Sequence, residues 1–218
     1  MSQDRYFADL AGAFVRGRLG AGGVPPDAPA EEAIRRGLQM GLRLHGFKRS
    51  AELPRVRKAL GILRGLGPES LLDVGSGRGA FLWPLLNAFP SLAVVAVDRR
   101  PAHVADIRAV HAGGVSRLAA LLADATRLPL RGRSVDVVTI LEVLEHLEQP
   151  ERAAAEAVRV ARRFVVASVP SRPDDNPEHL RLFSAGSVER IFLEAGATRV
   201  AVEFVPNHMI AVAGVRRP

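Results

Sequence analysis

Residues 71–79, which read LLDVGSGRG, are the stretch from which the fold of this chain is best predicted. The first half is apolar apart from Asp73, as expected of a buried strand, and Gly75, Gly77 and Gly79 predict a turn into a helix. Glycine adopts positive φ readily and lets a ligand lie against bare backbone. The helix that follows begins with free N–H groups that can also contact a ligand. An ordinary glycine-rich turn has the same pattern, so the neighbouring segments are needed to interpret it.

Strands and helices alternate after this turn. The patterns predict strands over residues 70–74, 92–97, 118–122, 135–141, 164–169, 199–205 and 208–215. They predict helices over residues 80–89, 101–111, 150–163 and 184–195. Repeated strand–helix units favour a parallel sheet with helices on both faces, and Pro206-Asn207 favours a final antiparallel hairpin. The fold class is therefore α/β, with a seven-stranded, mainly parallel sheet and an antiparallel last strand.

The first 67 residues differ from the rest because their patterns predict helices alone. Helices are expected over residues 4–15 and 31–47 and from Pro54 onward, with a loop over residues 20–29. We expect a helical cap over residues 1–67, followed by the α/β domain over residues 68–218. Residues 44–49 join the second and third helices, and we expect this stretch to close over a bound substrate.

Composition limits the class of protein. The chain has 218 residues, of which 48% are hydrophobic, which is enough for one substantial core. The absence of Cys excludes disulfides, a thiolate nucleophile and a cysteine zinc site. Charged residues near the start argue against a signal peptide, and Pro84, Asn87 and Pro90 interrupt the longest uncharged run, so no membrane span is expected. These features predict a cytoplasmic protein.

Positive charge is concentrated at the N-terminal end. The net charge is +7, and residues 1–67 hold 12 Lys or Arg against 6 Asp or Glu, whereas the remainder holds 18 against 17. A basic segment of this kind predicts an anionic partner or substrate. The alternative is coding bias, because only Lys48 and Lys58 among these cations are lysines.

Acidic side chains lie at or near the ends of three successive predicted strands. Asp73 lies in the first strand, Asp98 closes the second, and Asp124 follows the third. The carboxyl ends of parallel strands meet at one edge of a sheet, where ligands usually bind. With the glycine turn, these acids make residues 70–215 resemble the class I S-adenosylmethionine-dependent methyltransferases, whose sheet is Rossmann-like.

The resemblance implies how the cofactor S-adenosyl-L-methionine would be bound. The glycine turn would approach its methionine part, Asp98 its ribose hydroxyls, and Asp124 with Ala125 its adenine amino group. A carboxylate can accept hydrogen bonds from both hydroxyls of a ribose. The cofactor-binding residues expected from the resemblance are Asp73, Gly75, Ser76, Gly77, Gly79, Asp98, Arg99, Asp124, Ala125 and Leu141.

Two of these acids also have a simpler interpretation. Asp98 precedes Arg99-Arg100-Pro101 and could cap the next helix, and Asp124 could be an ordinary turn residue. A nicotinamide dinucleotide is the alternative cofactor, but its fingerprint G-x-G-x-x-G places the third glycine one residue later. The glycine turn and the three acids together favour S-adenosylmethionine.

A second group of candidate residues lies in the run LEVLEH, residues 141–146. If Glu142 begins a helix, Glu145 and His146 lie three and four residues further along the same face. His179, in a proline-rich loop after the fifth strand, would overhang the same end of the sheet. Carboxylate oxygens and imidazole nitrogens are ligands of divalent ions. The arrangement resembles the Glu-x-x-Glu-His run with a distant His in small-RNA 3′-terminal ribose 2′-O-methyltransferases.

Three interpretations of this group remain open. The resemblance to the RNA enzymes, which covers only these few residues, implies metal ligation by Glu142, Glu145, His146 and His179. A broad set of small-molecule methyltransferases, many without a metal, is also similar here; in these the run merely ends the fourth strand and the loop histidine lies near the substrate. If an acceptor proton must be removed, Glu142, His146 and His179 are the candidate catalytic residues. Alternatively, Glu145 and His146 pair with each other or with arginines. The histidines without such neighbours are expected to be surface or core residues, namely His45, His103, His111 and His208.

These observations predict an S-adenosylmethionine-dependent methyltransferase that O-methylates a small molecule, which is anionic if the basic cap contacts it. The transfer is an in-line displacement in which the protein aligns the acceptor and excludes water. The first alternative is an RNA ribose 2′-O-methyltransferase with a divalent metal, although the chain has no RNA-binding motif and only one Trp and one Tyr. The second alternative is a non-catalytic, cofactor-binding partner protein.

Overall fold

The computed structural model of the chain describes residues 6–48 and 53–215. The first residues of the helix predicted over residues 4–15 lie outside this part, as does Arg49 of the 44–49 stretch. The described helices are α1 (Ala8–Gly23), α2 (Ala30–Gln39), α3 (Pro54–Leu66), α4 (Leu82–Ala88), α5 (Pro101–Ala112), α6 (Pro150–Val160) and α7 (Ala185–Glu194). The strands are β1 (Ser70–Val74), β2 (Ala93–Asp98), β3 (Leu118–Leu122), β4 (Val135–Leu141), β5 (Ala161–Pro170), β6 (Arg199–Val205) and β7 (His208–Gly214).

The seven strands form one sheet in the order β3-β2-β1-β4-β5-β7-β6. Strand β1 pairs in parallel with β4, β4 with β5, and β2 with β3. The last strand, β7, runs antiparallel to both β5 and β6. This confirms the predicted α/β class and the Rossmann-like, mainly parallel sheet with an antiparallel last strand.

The chain divides into two compact units, and the first comprises described residues 6–48 and 76–122. Helix α1 packs against both α2 and α5 in this unit. Gly17 and Gly113 permit the close contact of α1 with α5, because an added Cβ would lie 1.9 Å and 1.7 Å from the carbonyl oxygens of Ala109 and Ala13. The 3₁₀ turn His45–Phe47 belongs to the same unit.

The second unit comprises described residues 53–75 and 123–215. It contains strands β1, β4, β5, β7 and β6, and helix α3 packs on β7 and β6. Lys58 of α3 forms an ion pair with Glu203 of β6. The division predicted at residue 67 stays a prediction, and α3 packs in this unit while α1 and α2 pack in the first.

Several predicted element boundaries are wrong, for local reasons. Helix α2 ends at Gln39 instead of residue 47, since Gly41 has a φ of 78° and the backbone leaves the helix there. Helix α1 runs on to Gly23, past a kink at Gly20, where φ is 63°. Helix α4 spans Leu82–Ala88 instead of residues 80–89, and Pro84 lies in its first turn, where no intrahelical N–H bond is required. Within the described part of the chain, no helix is long and apolar enough to cross a membrane.

Candidate active site

The glycine turn after β1 has the backbone conformation predicted from its sequence. Gly75, Gly77 and Gly79 have φ values of 75°, 56° and 86°, which L side chains rarely adopt. A Cβ on Gly79 would lie 2.0 Å from Nε1 of Trp83. That indole N–H donates a hydrogen bond of 3.0 Å to the carbonyl of Arg78. The turn therefore depends on glycine both for its φ angles and for its contact with Trp83.

Asp98 at the end of β2 holds the glycine turn in place. Its Oδ2 accepts a hydrogen bond of 2.8 Å from the N–H of Gly77, and its Oδ1 accepts one of 2.8 Å from the N–H of Arg100. Nδ1 of His103 lies 3.2 Å from Oδ1. Asp98 is buried, with 7% of its surface exposed. The carboxylate thus fixes the relative positions of the turn and the start of α5.

The chemistry of Asp98 fits the ribose that the family resemblance implies. Each carboxylate oxygen offers two lone-pair positions, so Oδ2 can accept a hydroxyl hydrogen bond while it retains the bond from Gly77. The simpler interpretation, that Asp98 caps the next helix, is not what the structure shows. Helix α5 has Arg100 as its N-terminal flanking residue and no side-chain cap. Arg99 is exposed beside it.

The second unit holds the remaining expected cofactor residues. Oδ1 of Asp124 accepts hydrogen bonds of 2.7 Å from both the N–H and the hydroxyl of Thr126, which is the turn geometry of the simpler interpretation. Asp73 is buried and accepts a bond of 2.8 Å from the hydroxyl of Thr139. Leu141 closes β4, and Ala125 is half-buried. The roles of these residues and of Ser76 in cofactor binding stay predictions.

Glu142 does not begin a helix, and that expectation was wrong. Its N–H donates to the carbonyl of Ser168, which continues the β4–β5 pairing past Leu141. Its φ is 56°, which is uncommon for a residue other than glycine. Only a short 3₁₀ turn, Leu144–His146, follows. Glu142 is therefore not on the same helical face as Glu145 and His146.

The carboxylate of Glu142 is bound by three side chains from distant parts of the second unit. The hydroxyl of Ser168 donates to Oε1 at 2.7 Å, Nε2 of His208 lies 2.8 Å from Oε2, and Nε of Arg55 lies 3.5 Å from the same oxygen. Burial acts to raise the pKa of Glu142, but the bond from His208 and the charge of Arg55 outweigh it and lower that pKa. Glu142 is therefore a carboxylate at neutral pH.

His208, expected to be a surface or core histidine, is the partner of Glu142. Its Nδ1 lies 3.2 Å from the carbonyl oxygen of Pro206, so both ring nitrogens face oxygen acceptors. The hydrogen bond to Glu142 raises the pKa of His208, which favours the imidazolium that donates on both sides. Nothing in the local sequence around His208 or Arg55 indicates this role, because the contacts depend on long-range packing.

Three of the expected metal ligands do come together. Glu145, His146 and His179 each offer one ligand atom, and these atoms all lie within 4.8 Å of one another. The imidazole rings are 4.7 Å apart between centroids. The N–H of Leu180 donates to the carbonyl of Glu145 at 2.8 Å and ties the loop that carries His179 to the 3₁₀ turn. Glu142, bound by other side chains, is not part of this group.

Hydrogen bonds orient both histidines of the group. Nδ1 of His146 lies 3.0 Å from the carbonyl oxygen of Glu178, and Nδ1 of His179 lies 2.8 Å from Oδ1 of Asp174. Metal-binding histidines typically donate their second N–H to a carbonyl or carboxylate in this way. Nδ2 of Asn176 lies 3.0 Å from Nε2 of His179, so an ion bound at that nitrogen would displace the amide.

Glu145 is the least satisfied polar group of the site. It is fully buried, and neither carboxylate oxygen has a hydrogen-bond partner among the described residues. Burial, reinforced by the charge of Glu142, raises its pKa to about 8. The expected alternative, in which Glu145 pairs with His146 or an arginine, is therefore not present. A buried carboxyl without a partner beside two oriented imidazoles fits a divalent cation.

Comparison with known proteins gives this site its context. Residues 72–164 match the model of a protein family described as a methyltransferase domain. These residues are similar to S-adenosylmethionine-dependent methyltransferases. The fold of this domain is similar to that of a SAM-dependent methyltransferase from Aquifex aeolicus, with a TM-score of 0.62 and 23% identity over 76% of this chain and 92% of that one.

Curated relatives of the methyltransferase domain include two named O-methyltransferases. The malonyl-[acyl-carrier protein] O-methyltransferase of Methylococcus capsulatus is 31% identical over 140 residues, which cover 62% of this chain and 50% of that protein. The ubiquinone biosynthesis O-methyltransferase of Cupriavidus pinatubonensis is 27% identical over 110 residues, which cover 49% and 44%. The chain thus spans about half the length of these relatives.

Proposed function

We propose that this chain transfers a methyl group from S-adenosylmethionine to an oxygen atom of a small-molecule acceptor. The observation that carries the proposal is the match of residues 72–164 to a methyltransferase domain that includes the glycine turn and Asp98. The names of the two relatives support oxygen as the atom methylated. The excess of positive charge in residues 1–67 supports an anionic acceptor.

In this proposal, the glycine turn and Asp98 would hold the cofactor, which supplies an activated methyl group on a sulfonium. Asp98 would accept a ribose hydroxyl through the free position on Oδ2. Because the transfer is a displacement, the protein contributes mainly by aligning the acceptor oxygen and excluding water. If the acceptor oxygen belongs to a hydroxyl group, its proton must also be removed.

His146 is better suited than Glu142 to take that proton. If Nδ1 of His146 donates to the carbonyl of Glu178, Nε2 of the neutral ring carries a lone pair that can accept a proton. Glu142 already accepts hydrogen bonds from Ser168 and His208, and its lowered pKa makes it a weak base. Its charge would instead stabilise the positive charge that His146 acquires.

A divalent metal is a second way to activate the acceptor, favoured by the fit of Glu145, His146 and His179 to a cation. These residues would hold the ion, and a bound ion would lower the pKa of an acceptor hydroxyl. The same group is the feature that would favour a ribose 2′-hydroxyl of RNA as acceptor. The comparisons give no support to RNA, so a small molecule remains the proposed acceptor.

A methyl-transfer assay tests this function. The formation of S-adenosylhomocysteine would be measured with a panel of small carboxylic acids and phenols for the wild type, His146→Ala and His111→Ala. We expect turnover by the wild type, a decrease of about 100-fold or more in kcat for His146→Ala, and no change for the exposed His111→Ala. Cofactor binding without turnover on any acceptor, including RNA, would instead support the non-catalytic alternative.

A further inference from the structure

A small pocket in the first unit lies beside the glycine turn. Its cavity of about 50 Å³ is lined by Arg43, His45, Phe47, Gly77, Arg78 and Trp83, among others. A cavity of about 10–15 Å³ already accommodates one water molecule, so this one has room for a group the size of a carboxylate. Gly77 lines the pocket and donates its N–H to Asp98. The pocket therefore lies next to the glycine turn that we propose binds the cofactor.

The floor of the pocket is a stack of buried aromatic rings. Phe47 stacks on Trp83 with 4.7 Å between ring centroids, and Phe14 lies 5.1 Å from Phe47. Phe47 and Trp83 expose only 4% and 2% of their surfaces. The indole N–H of Trp83 donates to the carbonyl of Arg78. The floor is therefore packed into the core and continuous with the glycine turn.

The two walls of the pocket are short turns that approach each other closely. The N–H of Phe7 donates to the carbonyl of Phe47 at 2.9 Å and fixes the His45–Phe47 turn. A Cβ on Gly46 would lie 3.2 Å from the carbonyl oxygen of Arg78. Backbone from both walls is thus close enough for one small ligand to contact both turns.

Charge at the rim is positive and uncompensated. Arg43 and Arg78 are exposed, and within the described residues neither guanidinium has an ion-pair or hydrogen-bond partner. The one acid that lines the pocket, Asp106, is already paired with Arg18. Guanidinium groups bind carboxylates through two parallel hydrogen bonds, which makes them well suited to recognise such a ligand.

We propose that this pocket binds a carboxylate, and that in the reaction this is the anionic group of the methyl acceptor, held by Arg43 and Arg78. The proposal rests on the proposed function and adds the substrate class, an acceptor with a free carboxylate. The carboxylate of the cofactor is a second source of the same chemistry. The experiment must therefore separate these two sources.

The fluorescence of Trp83 can report ligand binding in the pocket, because Trp83 is the single tryptophan of the chain. Malonate would be titrated against the wild-type protein at constant ionic strength while the fluorescence of Trp83 is recorded, with the uncharged malonamide as a control probe. We expect a saturable change with malonate and none with malonamide. The absence of saturation, or an equal response to malonamide, would overturn the proposal.

Matched variants identify the residues responsible. Arg43→Ala combined with Arg78→Ala should weaken malonate binding at least tenfold, whereas Arg35→Ala combined with Arg36→Ala, two exposed arginines of α2, should leave it unchanged. Circular dichroism would confirm that both double variants are folded. Equal malonate affinity in the two double variants would also overturn the proposal.

S-adenosylhomocysteine distinguishes the two sources of carboxylate. We expect malonate and S-adenosylhomocysteine to bind together, and the Arg43/Arg78 double variant to retain its affinity for S-adenosylhomocysteine. Competition between the two ligands would mean that the cofactor carboxylate occupies the pocket and would overturn the acceptor assignment. If the wild type binds malonate but not S-adenosylhomocysteine, the result contradicts the proposed methyl transfer and still supports carboxylate binding in the pocket.

Discussion

Nε2 of His208 lies 2.8 Å from Oε2 of Glu142, so a side chain of the last strand neutralises a carboxylate at the end of β4. Ser168 and Arg55 complete the environment of the same carboxylate. Three side chains from distant segments of the chain therefore determine the charge of Glu142. If this carboxylate lies beside the acceptor, its partners matter for stability and for activity.

Replacing His208 should make stability depend differently on pH. The contact raises the pKa of His208 and so contributes its full stabilisation below pH 6.5, the ordinary pKa of histidine. This stabilisation is lost as the pH rises through the raised pKa. The contacts of Glu142 lower its pKa and so contribute their full stabilisation above pH 4.5, the ordinary pKa of glutamate. This stabilisation is lost as the pH falls through the lowered pKa. The pair is thus most stabilising between about pH 4.5 and 6.5, where His208→Gln should cost about 1–2 kcal/mol.

Thermal unfolding in EDTA between pH 4 and 9 measures this effect. The difference in stability between the wild type and His208→Gln should shrink toward both ends of the range. His111→Gln, which changes an exposed histidine, provides the matched control and should show no such maximum. A difference that stays constant across the whole range would show that the Glu142–His208 pair is not ionised as described.

Divalent cations should stabilise the protein through Glu145. The buried carboxyl has no partner among the described residues and a pKa raised to about 8, so a cation held by Glu145, His146 and His179 would displace its proton and stabilise the carboxylate. At a concentration 100 times the Kd of the ion, the gain would be about 2.7 kcal/mol. Thermal unfolding with Zn²⁺ or Mn²⁺, compared with EDTA, measures it.

Two glutamates make a matched pair for this measurement. Glu145→Gln should abolish the stabilisation by the ion, while Glu148→Gln, at an exposed position, should retain it. If the wild type and Glu145→Gln respond equally to the ions, Glu145 is not a ligand.

Gly79→Ala tests the construction of the glycine turn. The residue has a φ of 86°, and a Cβ there would overlap the indole of Trp83. The left-handed conformation alone costs about 1–2 kcal/mol for an L residue, and the overlap adds to it. We expect a loss of more than about 2 kcal/mol in the free energy of unfolding, measured by urea denaturation.

Gly61→Ala is the control for that substitution. Gly61 lies in the exposed face of α3, and nothing lies within 4 Å of the position of an added Cβ. Alanine should stabilise the helix there by up to about 1 kcal/mol. If Gly79→Ala is tolerated as well as Gly61→Ala, the turn does not have the described geometry.

Local patterns were sufficient to predict most of the fold. Strand β1, the glycine turn and strand β4 follow from apolar runs and glycines that are adjacent in sequence. The end of α2 was missed because Leu42 and His45 continue the helical spacing of apolar residues, although Gly41 at a φ of 78° ends the helix. A periodic pattern persists even where one residue changes the backbone direction.

The site was predictable only in part, because its partners depend on strand register. Four residues were predicted to converge, Glu142, Glu145, His146 and His179; the last three do, and Glu142 is not part of their group. His208 reaches Glu142 because β7 pairs antiparallel with β5, which places His208 opposite Pro170, two residues beyond Ser168. Arg55 comes from α3, which packs on β7. No short sequence motif indicates the contact of His208 or of Arg55 with Glu142.

The measurement that most directly tests the central claim, a class I cofactor site built on Asp98, is calorimetric titration with S-adenosylhomocysteine. The wild type should bind with a micromolar Kd, about 8 kcal/mol at 1 μM. Asp98→Asn, which removes the charge that holds Gly77 and would accept the ribose, should weaken binding about 10- to 100-fold, and the exposed Asp27→Asn should not. Equal affinity of Asp98→Asn and the wild type, or no binding by the wild type, would contradict the account.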